Sequence, residues 1–172
     1  MAEIDRTSPV VCDSGPLIHL DELGSLDLLG DFATVVVPEP VWLEVERHRP
    51  AALLALPGAF ERRGVEVAVD ARFSALVRSL SLDAGEQAAL SCAELQQGGV
   101  LLTDDSAARL AAKALGYRAH GTLGILLRAL RRRQRSRSQV LSLLRSIPTS
   151  STLHIRRELL EEVIDEVRRS PR

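Results

Sequence analysis

The sequence predicts an α/β fold in which helices cover both faces of a mostly parallel β-sheet, a three-layer α/β/α arrangement. Runs of valine and leucine without polar alternation, such as residues 10–12 and 100–103, are typical of strands that are buried on both faces. Helical segments separate these runs, as they do where crossover helices join parallel strands. A carboxylate, Asp13, directly follows the first run, at the sheet edge where such folds bind ligands.

Length and composition limit the class of protein. With 172 residues, of which 45% are hydrophobic, the chain can build one domain with an extension. An aromatic content of 3% excludes base stacking as the main means of binding nucleic acid, and a net charge of -1 gives no general attraction for phosphates. Cys12 and Cys92 are expected to be buried thiols. Without a signal-peptide pattern or an apolar run of membrane-spanning length, we expect a soluble, cytoplasmic protein that does not bind membranes.

Hydrophobic runs that are interrupted by glycine and proline predict where each strand and helix lies along the chain. The predicted strands are residues 10–12, 34–37, a weaker edge strand over 65–69, 100–103 and 117–120. The predicted helices cover residues 17–29 with a break near Gly24, a segment from Pro40, a segment between Pro50 and Pro57, residues 83–97 and residues 106–115.

Beyond Thr122 the pattern becomes entirely helical. We expect helices over residues 123–130 and 138–147, the second ending at Pro148, and then a linker to Thr152. An amphipathic helix over residues 156–169 carries one apolar stripe, which packs on its own domain or on a second subunit of a homodimer. We therefore divide the chain into a domain over residues 9–125 and a C-terminal helical extension over residues 126–172.

Carboxylates occur where four buried segments meet a turn or the start of a helix. They are Asp13, Glu44, Glu86 and the adjacent pair Asp104 and Asp105. Because the carboxyl ends of parallel strands share one edge of a sheet, several of these groups are expected to converge there. Oxygen ligands without a histidine or cysteine cluster suit Mg²⁺ or Mn²⁺, and such ions support phosphodiester hydrolysis by an activated water.

Each carboxylate also has a purely structural interpretation, which the sequence leaves open. Asp13 is a suitable cap for the helix that follows it, and one aspartate of the later pair suits the helix that begins at Ser106. Asp83 and Glu86 have the spacing of a capping box. Glu44 and Glu46 flank the apolar face of their helix, where either can be a solvated surface residue.

Four segments in order resemble the PIN domain, the fold of the VapC-type ribonuclease toxins and related nucleases. They are residues 10–14, 37–44, 82–89 and 101–105, and residues 107–116, with Arg109 and Lys113, continue the likeness. The resemblance covers about residues 9–125. Together with Gly121-Thr122-Leu123-Gly124, it points to a longer and less-studied PIN-like branch.

The resemblance implies a five-stranded sheet in the order 3-2-1-4-5 with a metal pocket above strand 1. It makes Asp13, Glu44, Glu86 and Asp105 the catalytic and metal-binding acids of an enzyme that uses one or two Mg²⁺ or Mn²⁺ ions, and it favours Glu44 over Glu46. Glu86 stands where the family usually has an aspartate, and Asp104 is an additional metal ligand. Because Gly15 stands where many relatives carry a hydroxyl residue, Ser14 or Thr103 is expected to support the site instead.

The leading functional hypothesis is a metal-dependent endoribonuclease, with a toxin role and an antitoxin-like partner implied by kinship. The alternative is a catalytically weak PIN-like module that binds RNA or a protein partner through an arginine cluster and the helical tail. That cluster comprises Arg128, Arg131, Arg132, Arg133, Arg135 and Arg137, and it can equally be a solvated helix end. The residues expected to bind RNA are Arg109, Lys113, Arg131, Arg132 and Arg133. The histidines, including His19 and His154, lack ligand spacing and are assigned no role.

Overall fold

A computed structural model describes residues 9–56, 58, 60–64, 71–95 and 99–169. Its strands are β1 (Val10–Cys12), β2 (Val35–Pro38), β3 (Phe60–Arg63), β4 (Val100–Leu102) and β5 (Arg118–His120). Its α-helices are α1 (Ser14–Glu22), α2 (Glu39–His48), α3 (Pro50–Leu54), α4 (Ala71–Leu80), α5 (Ala84–Leu95), α6 (Ser106–Leu115), α7 (Thr122–Arg131), α8 (Arg137–Ser150) and α9 (Arg157–Arg169). A 3₁₀ helix over Leu26–Asp31 follows α1.

The described strands form one parallel sheet in the order β3-β2-β1-β4-β5, which confirms the predicted fold and strand order. β1 lies at the centre, with Val11 paired with Val36 of β2 and Leu101 of β4. All residues of these three strands are buried. This burial on both faces is the reason that their sequences lack polar alternation.

Alternate residues of the central strands supply the two cores of a three-layer structure. Val10 and Cys12 face a hydrophobic cluster that includes residues of α1, α7 and α8. Val11 faces a second cluster that is built mainly from α4, α5 and α6. Cys12 and Cys92 are buried free thiols, as predicted.

Caps fix the helices that follow the central strands. Asp13 is the N-cap of α1 and accepts a 2.9 Å hydrogen bond from the Ser14 amide. Asp105 is the N-cap of α6 and accepts a 2.8 Å bond from the Ala108 amide. Both aspartates therefore carry the structural role that the sequence left open, at the edge of the sheet where the site was predicted.

Three elements differ from the sequence predictions. α8 continues through Pro148 to Ser150, so the predicted helix end at this proline is wrong. Proline lacks an amide donor but does not prevent later residues from bonding back, and the Ser151 amide donates to the Ile147 carbonyl at 3.1 Å. The edge strand β3 occupies Phe60–Arg63, whereas the predicted strand over residues 65–69 lies outside the described residues. α4 was not predicted, and its buried Phe73 anchors it to the second core.

The C-terminal helices share the first hydrophobic core with the sheet. Leu126 of α7, Leu144 of α8 and Leu160 of α9 belong to the same buried cluster as Val10. Between α8 and α9, residues 151–156 form a segment without helix or strand, here called the strap. No helix in the described parts of the chain has both the length and the apolar character needed to cross a membrane.

Candidate functional site

A pocket of about 270 Å³ opens at the carboxyl edge of the sheet, above β1 and β4. Five acidic residues line it, namely Asp13, Asp83, Glu86, Asp104 and Asp105. Ser14, Gly15 and His19 of α1 form one wall, and residues 152–154 of the strap form another. Four of the five predicted acidic positions thus meet in one pocket, with Glu44 lying close to it.

Asp13 is the most buried acid of this pocket, with 6% of its surface exposed. Its Oδ2 accepts a 2.8 Å hydrogen bond from Thr103 Oγ1, and its Oδ1 accepts the bond from the Ser14 amide. Burial raises the pKa of Asp13 to about 6, and the charges of Glu44 and Asp83 act in the same direction against these two hydrogen bonds. The predicted support from Thr103 is a direct contact, and Ser14 contributes its backbone amide.

Glu86 and Asp83 form the capping box at the start of α5. The Asp83 amide donates to Glu86 Oε2 at 2.8 Å, and the Glu86 amide donates to Asp83 Oδ1 at 2.9 Å. Burial raises the pKa of Glu86 to about 7, and the charge and hydrogen bond of Asp105 and the charge of Asp83 contribute to the increase. Glu86 therefore caps a helix while it lies among other carboxylates, so its capping role is confirmed and its role as a metal-binding acid stays a prediction.

Glu44 lies beside the start of α5 rather than in the pocket wall. A β carbon built on Gly85 would stand 3.5 Å from Glu44 Oε2 and 3.3 Å from Asp83 Oδ1. Glu44 is partly buried, whereas Glu46 on the same helix is exposed. The orientation of α2 thus turns Glu44, and not Glu46, toward the acidic cluster.

Asp104 has a different environment from its neighbour. Its Oδ1 accepts the Thr122 amide at 2.7 Å, and its Oδ2 accepts Thr122 Oγ1 at 2.6 Å and lies 2.8 Å from His19 Nδ1. Three protein donors therefore hold both oxygens at the pocket edge. Its predicted role as a metal ligand would require one of these bonds to be exchanged.

The strap is attached to the rim of the pocket by Glu22 of α1. Glu22 Oε2 accepts hydrogen bonds from the Thr152 amide at 2.7 Å and from Ser151 Oγ at 2.9 Å. Leu153 and Ile155 are partly buried against the first core, whereas Thr152 and His154 are exposed. The strap is thus a pocket wall that is held by hydrogen bonds to Glu22 and by packing of Leu153 and Ile155 against the first core.

The arginine cluster divides into paired and exposed members. Arg128 is buried and forms a 2.7 Å ion pair with Asp31, which Arg132 also approaches at 3.4 Å. Arg131 and Arg133 are exposed and have no ion-pair partner among the described residues. Arg109 and Lys113 are exposed on α6, one turn apart, and a guanidinium nitrogen of Arg109 lies near Gly121 at the pocket edge.

The pocket offers oxygen ligands of the kind that hard divalent cations prefer. Within the described ranges, no three acidic, histidine or cysteine side chains already surround one point as metal ligands would. Burial is the main cause of the raised pKa values of Asp13 and Glu86, and the charges of neighbouring carboxylates add to it, which a bound cation would counteract. The oxygen donors present therefore fit a divalent cation in their chemistry, and binding one would bring these side chains closer together.

Sequence reasoning missed three groups that the structure places at the pocket. Asp83 was interpreted only as a cap, and His19 and the strap were assigned no role. His19 follows Gly15 by one helical turn, so the two share the face of α1 that meets Asp104. That spacing was visible in the sequence, whereas the return of the strap to the pocket depends on how α8 packs.

A parallel three-layer α/β/α fold with carboxylates gathered above its central strand is the arrangement that the resemblance to PIN domains implies. A family model described as a PIN domain matches residues 9–169, and the chain belongs to the PIN-domain family. PIN domains are generally nucleases and typically use divalent metal ions. The match includes the helices after Thr122. No curated protein matches the chain.

Proposed function

We propose that this protein is a divalent-metal-dependent endoribonuclease that hydrolyses phosphodiester bonds at the acidic pocket. The observation that carries the proposal is the convergence of buried Asp13 with Glu86 and Asp105, with pKa values of about 6 for Asp13 and about 7 for Glu86. Capping stabilises each helix separately but does not require the carboxylates to share one pocket, so their convergence favours a functional role.

Asp13, Glu86 and Asp105 are the proposed ligands of one or two Mg²⁺ or Mn²⁺ ions, with Glu44 adding negative charge beside them. When bound, such an ion polarises the scissile phosphate and the attacking water. Thr103 and the Ser14 amide hold the Asp13 carboxylate in one orientation, so it needs little rearrangement to bind. The strap walls off one side of the pocket, which restricts the approach of the substrate.

Exposed cations on two helices that begin at the pocket supply the proposed contacts to RNA phosphates. Arg109 lies near the pocket edge, whereas Lys113 lies one turn further along α6 and Arg131 and Arg133 lie at the far end of α7. Arg132 can contribute only in competition with its interaction with Asp31. A toxin role, an antitoxin-like partner, a homodimer and a cytoplasmic location remain predictions that accompany this proposal.

The direct test is cleavage of a mixed-sequence single-stranded RNA with Mn²⁺, Mg²⁺ or EDTA. We expect metal-dependent cleavage by the wild type, none in EDTA, and none by Asp13→Ala. Glu44→Gln should lower the rate and Glu46→Gln should not, because only Glu44 faces the acidic cluster. Persistent cleavage by folded Asp13→Ala would contradict the proposal. Absence of cleavage by folded wild type with either metal would favour the alternative of an RNA- or protein-binding module.

A further inference from the structure

His19 and Asp104 form a hydrogen-bonded pair in the wall of the acidic pocket. His19 Nδ1 lies 2.8 Å from Asp104 Oδ2, and the Thr122 amide and hydroxyl hold the same carboxylate. An ionised carboxylate can only accept hydrogen bonds, so His19 Nδ1 must carry the hydrogen of this bond. The pair therefore selects one tautomer of the imidazole ring.

When the ring is neutral, this tautomer leaves the second ring nitrogen, Nε2, with a lone pair, so that Nε2 acts as a hydrogen-bond acceptor. In the described part of the chain, Nε2 has no hydrogen-bond partner. The side chain is 15% exposed and lines the pocket together with Asp13 and Glu86. An oriented acceptor thus remains available to whatever enters the pocket.

The chemistry of a nucleic-acid backbone determines which group such an acceptor can bind. Phosphate and ring oxygens of the backbone are acceptors, so a neutral Nε2 has no attraction for them. The hydroxyl at the ribose 2′ position is a donor, and it is the group that distinguishes RNA from DNA. An acceptor nitrogen in the wall therefore matches a ribose and leaves a deoxyribose without a partner.

We propose that His19 Nε2 accepts a hydrogen bond from a ribose 2′-hydroxyl of the bound strand, so that His19 is a specificity-determining residue for RNA over DNA. This inference rests on the proposed function to the extent that the pocket must bind a nucleic-acid strand. Asp104 is a positioning residue that acts through the His19 ring, and Thr122 holds Asp104 in turn.

Equilibrium binding tests the proposal without relying on cleavage. Fluorescence anisotropy with Mg²⁺ would compare an RNA oligonucleotide and the DNA of the same sequence, both on an Asp13→Asn background that blocks the proposed reaction. We expect His19→Phe to weaken RNA binding about tenfold, the effect of one lost hydrogen bond, and to leave DNA binding unchanged. His19→Gln, whose amide oxygen can accept, should keep part of the preference.

His154→Phe is the matched control, because His154 lines the same pocket and has no carboxylate partner among the residues that the structure describes. It should leave the ratio of RNA to DNA affinity unchanged. An equal loss of RNA and DNA affinity in His19→Phe, or no loss, would overturn the proposal. A change of the ratio in His154→Phe alone would also overturn it.

The tautomer can be measured by ¹⁵N NMR of the histidine rings in the protein without nucleic acid. We expect a hydrogen on His19 Nδ1 in the wild type. In Asp104→Asn the Thr122 amide still requires an acceptor at Oδ1, so the new amide nitrogen takes the position that faces His19. Because this nitrogen is a donor, Nδ1 must then accept, and the hydrogen of the neutral ring should move to Nε2. A wild-type ring with its hydrogen on Nε2 would refute the inference, even if Asp104→Asn does not fold.

These outcomes separate the inference from the proposed function. RNA-selective binding that depends on His19, without cleavage by the wild type, would support the inference and contradict the ribonuclease. Metal-dependent RNA cleavage combined with an unchanged RNA preference in His19→Phe would support the ribonuclease and contradict the inference about His19.

Discussion

Thr103 Oγ1 donates a 2.8 Å hydrogen bond to Asp13 Oδ2, and this bond links the residues that follow β4 and β1. Thr103 is fully buried, and its hydroxyl also accepts the Asp105 amide at 3.2 Å. One side chain therefore connects two of the proposed metal ligands.

Thr103→Val should destabilise the protein and further raise the pKa of Asp13. The substitution preserves shape but leaves a buried carboxylate oxygen without its donor, at an expected cost of about 2 kcal/mol in the free energy of unfolding. Urea denaturation provides the measurement. Thr103→Ser keeps the hydroxyl, so its free energy of unfolding should fall by less than half as much. Equal losses of stability in the two variants would contradict this role of the hydrogen bond.

Without divalent cations, stability should fall as the pH rises from about 5 to about 8. The folded-state pKa values of Asp13, about 6, and Glu86, about 7, lie above those of an unfolded chain, so the folded state binds more protons in this range. The resulting stabilisation is complete below pH ~4 and is lost as the pH rises through these values. For nearly buried Asp13 it amounts to about 3 kcal/mol.

Thermal unfolding in EDTA at several pH values measures this dependence. Asp13→Asn and Glu86→Gln should each flatten it, and Glu46→Gln, at an exposed position, should not. A wild-type melting temperature that does not fall above pH ~6 would show that burial does not raise the pKa values of these two carboxyls as described.

Gly121→Ala should disrupt the edge of the pocket. A β carbon there would overlap Asp104 Oδ1 and lie 3.2 Å from both the Thr103 carbonyl oxygen and a guanidinium nitrogen of Arg109. The backbone of Gly121 is extended, so the cost is steric and is expected to be about 2 kcal/mol.

Gly124→Ala, in the interior of α7, is the matched control. Its β carbon would contact His120 Cβ at an ordinary 3.4 Å, and alanine favours the helix by about 1 kcal/mol. Melting temperatures should therefore fall for Gly121→Ala and stay level or rise for Gly124→Ala. A tolerated Gly121→Ala would mean that Asp104 can move without penalty.

The arginine cluster should separate into structural and binding members. Arg128→Met removes the 2.7 Å ion pair with Asp31, and loss of a buried pair of this kind costs about 3 kcal/mol. Arg131→Gln combined with Arg133→Gln should leave stability unchanged. The slope of log RNA affinity against log salt concentration should become shallower by about 0.7 for each phosphate contact that is lost. An unchanged salt dependence would remove both residues from the RNA interface.

Glu22→Gln should loosen the strap. Burial opposes ionisation of Glu22, but the hydrogen bonds from the Thr152 amide and from Ser151 outweigh it and lower the pKa. The ionised group therefore stabilises the fold at neutral pH, and this contribution is lost as the pH falls through the lowered pKa. We expect a loss of about 1 kcal/mol and faster hydrogen exchange at Leu153, whose amide donates to Ser151 Oγ.

Glu161→Gln on α9 is the control for the strap, because Glu161 forms an exposed ion pair with Arg157 that contributes little. If both variants exchange the Leu153 amide at the wild-type rate, Glu22 does not anchor the strap.

Local sequence patterns determined the architecture and most of the acidic site. Val10–Cys12 and Val100–Leu102 are apolar throughout because both faces of a central parallel strand are buried, and this composition predicts their type without an alignment. Asp13 directly follows the first of these strands and Asp105 comes shortly after the second, so strand direction alone brings them to one edge. The capping box of Asp83 and Glu86 was also visible, because capping depends on residues that are close in sequence.

Other features depended on contacts between distant parts of the chain. α8 continues through Pro148, and the strap then runs back to Glu22, more than a hundred residues earlier in the sequence. The pairing of His19 with Asp104 joins α1 to the turn after β4, and that of Arg128 with Asp31 joins α7 to the 3₁₀ helix. Hydrophobic periodicity shows that a helix has a buried face, but it does not show which surface covers that face. The sequence therefore determined the sheet and its acids, whereas the tertiary structure decided which neighbours complete the pocket.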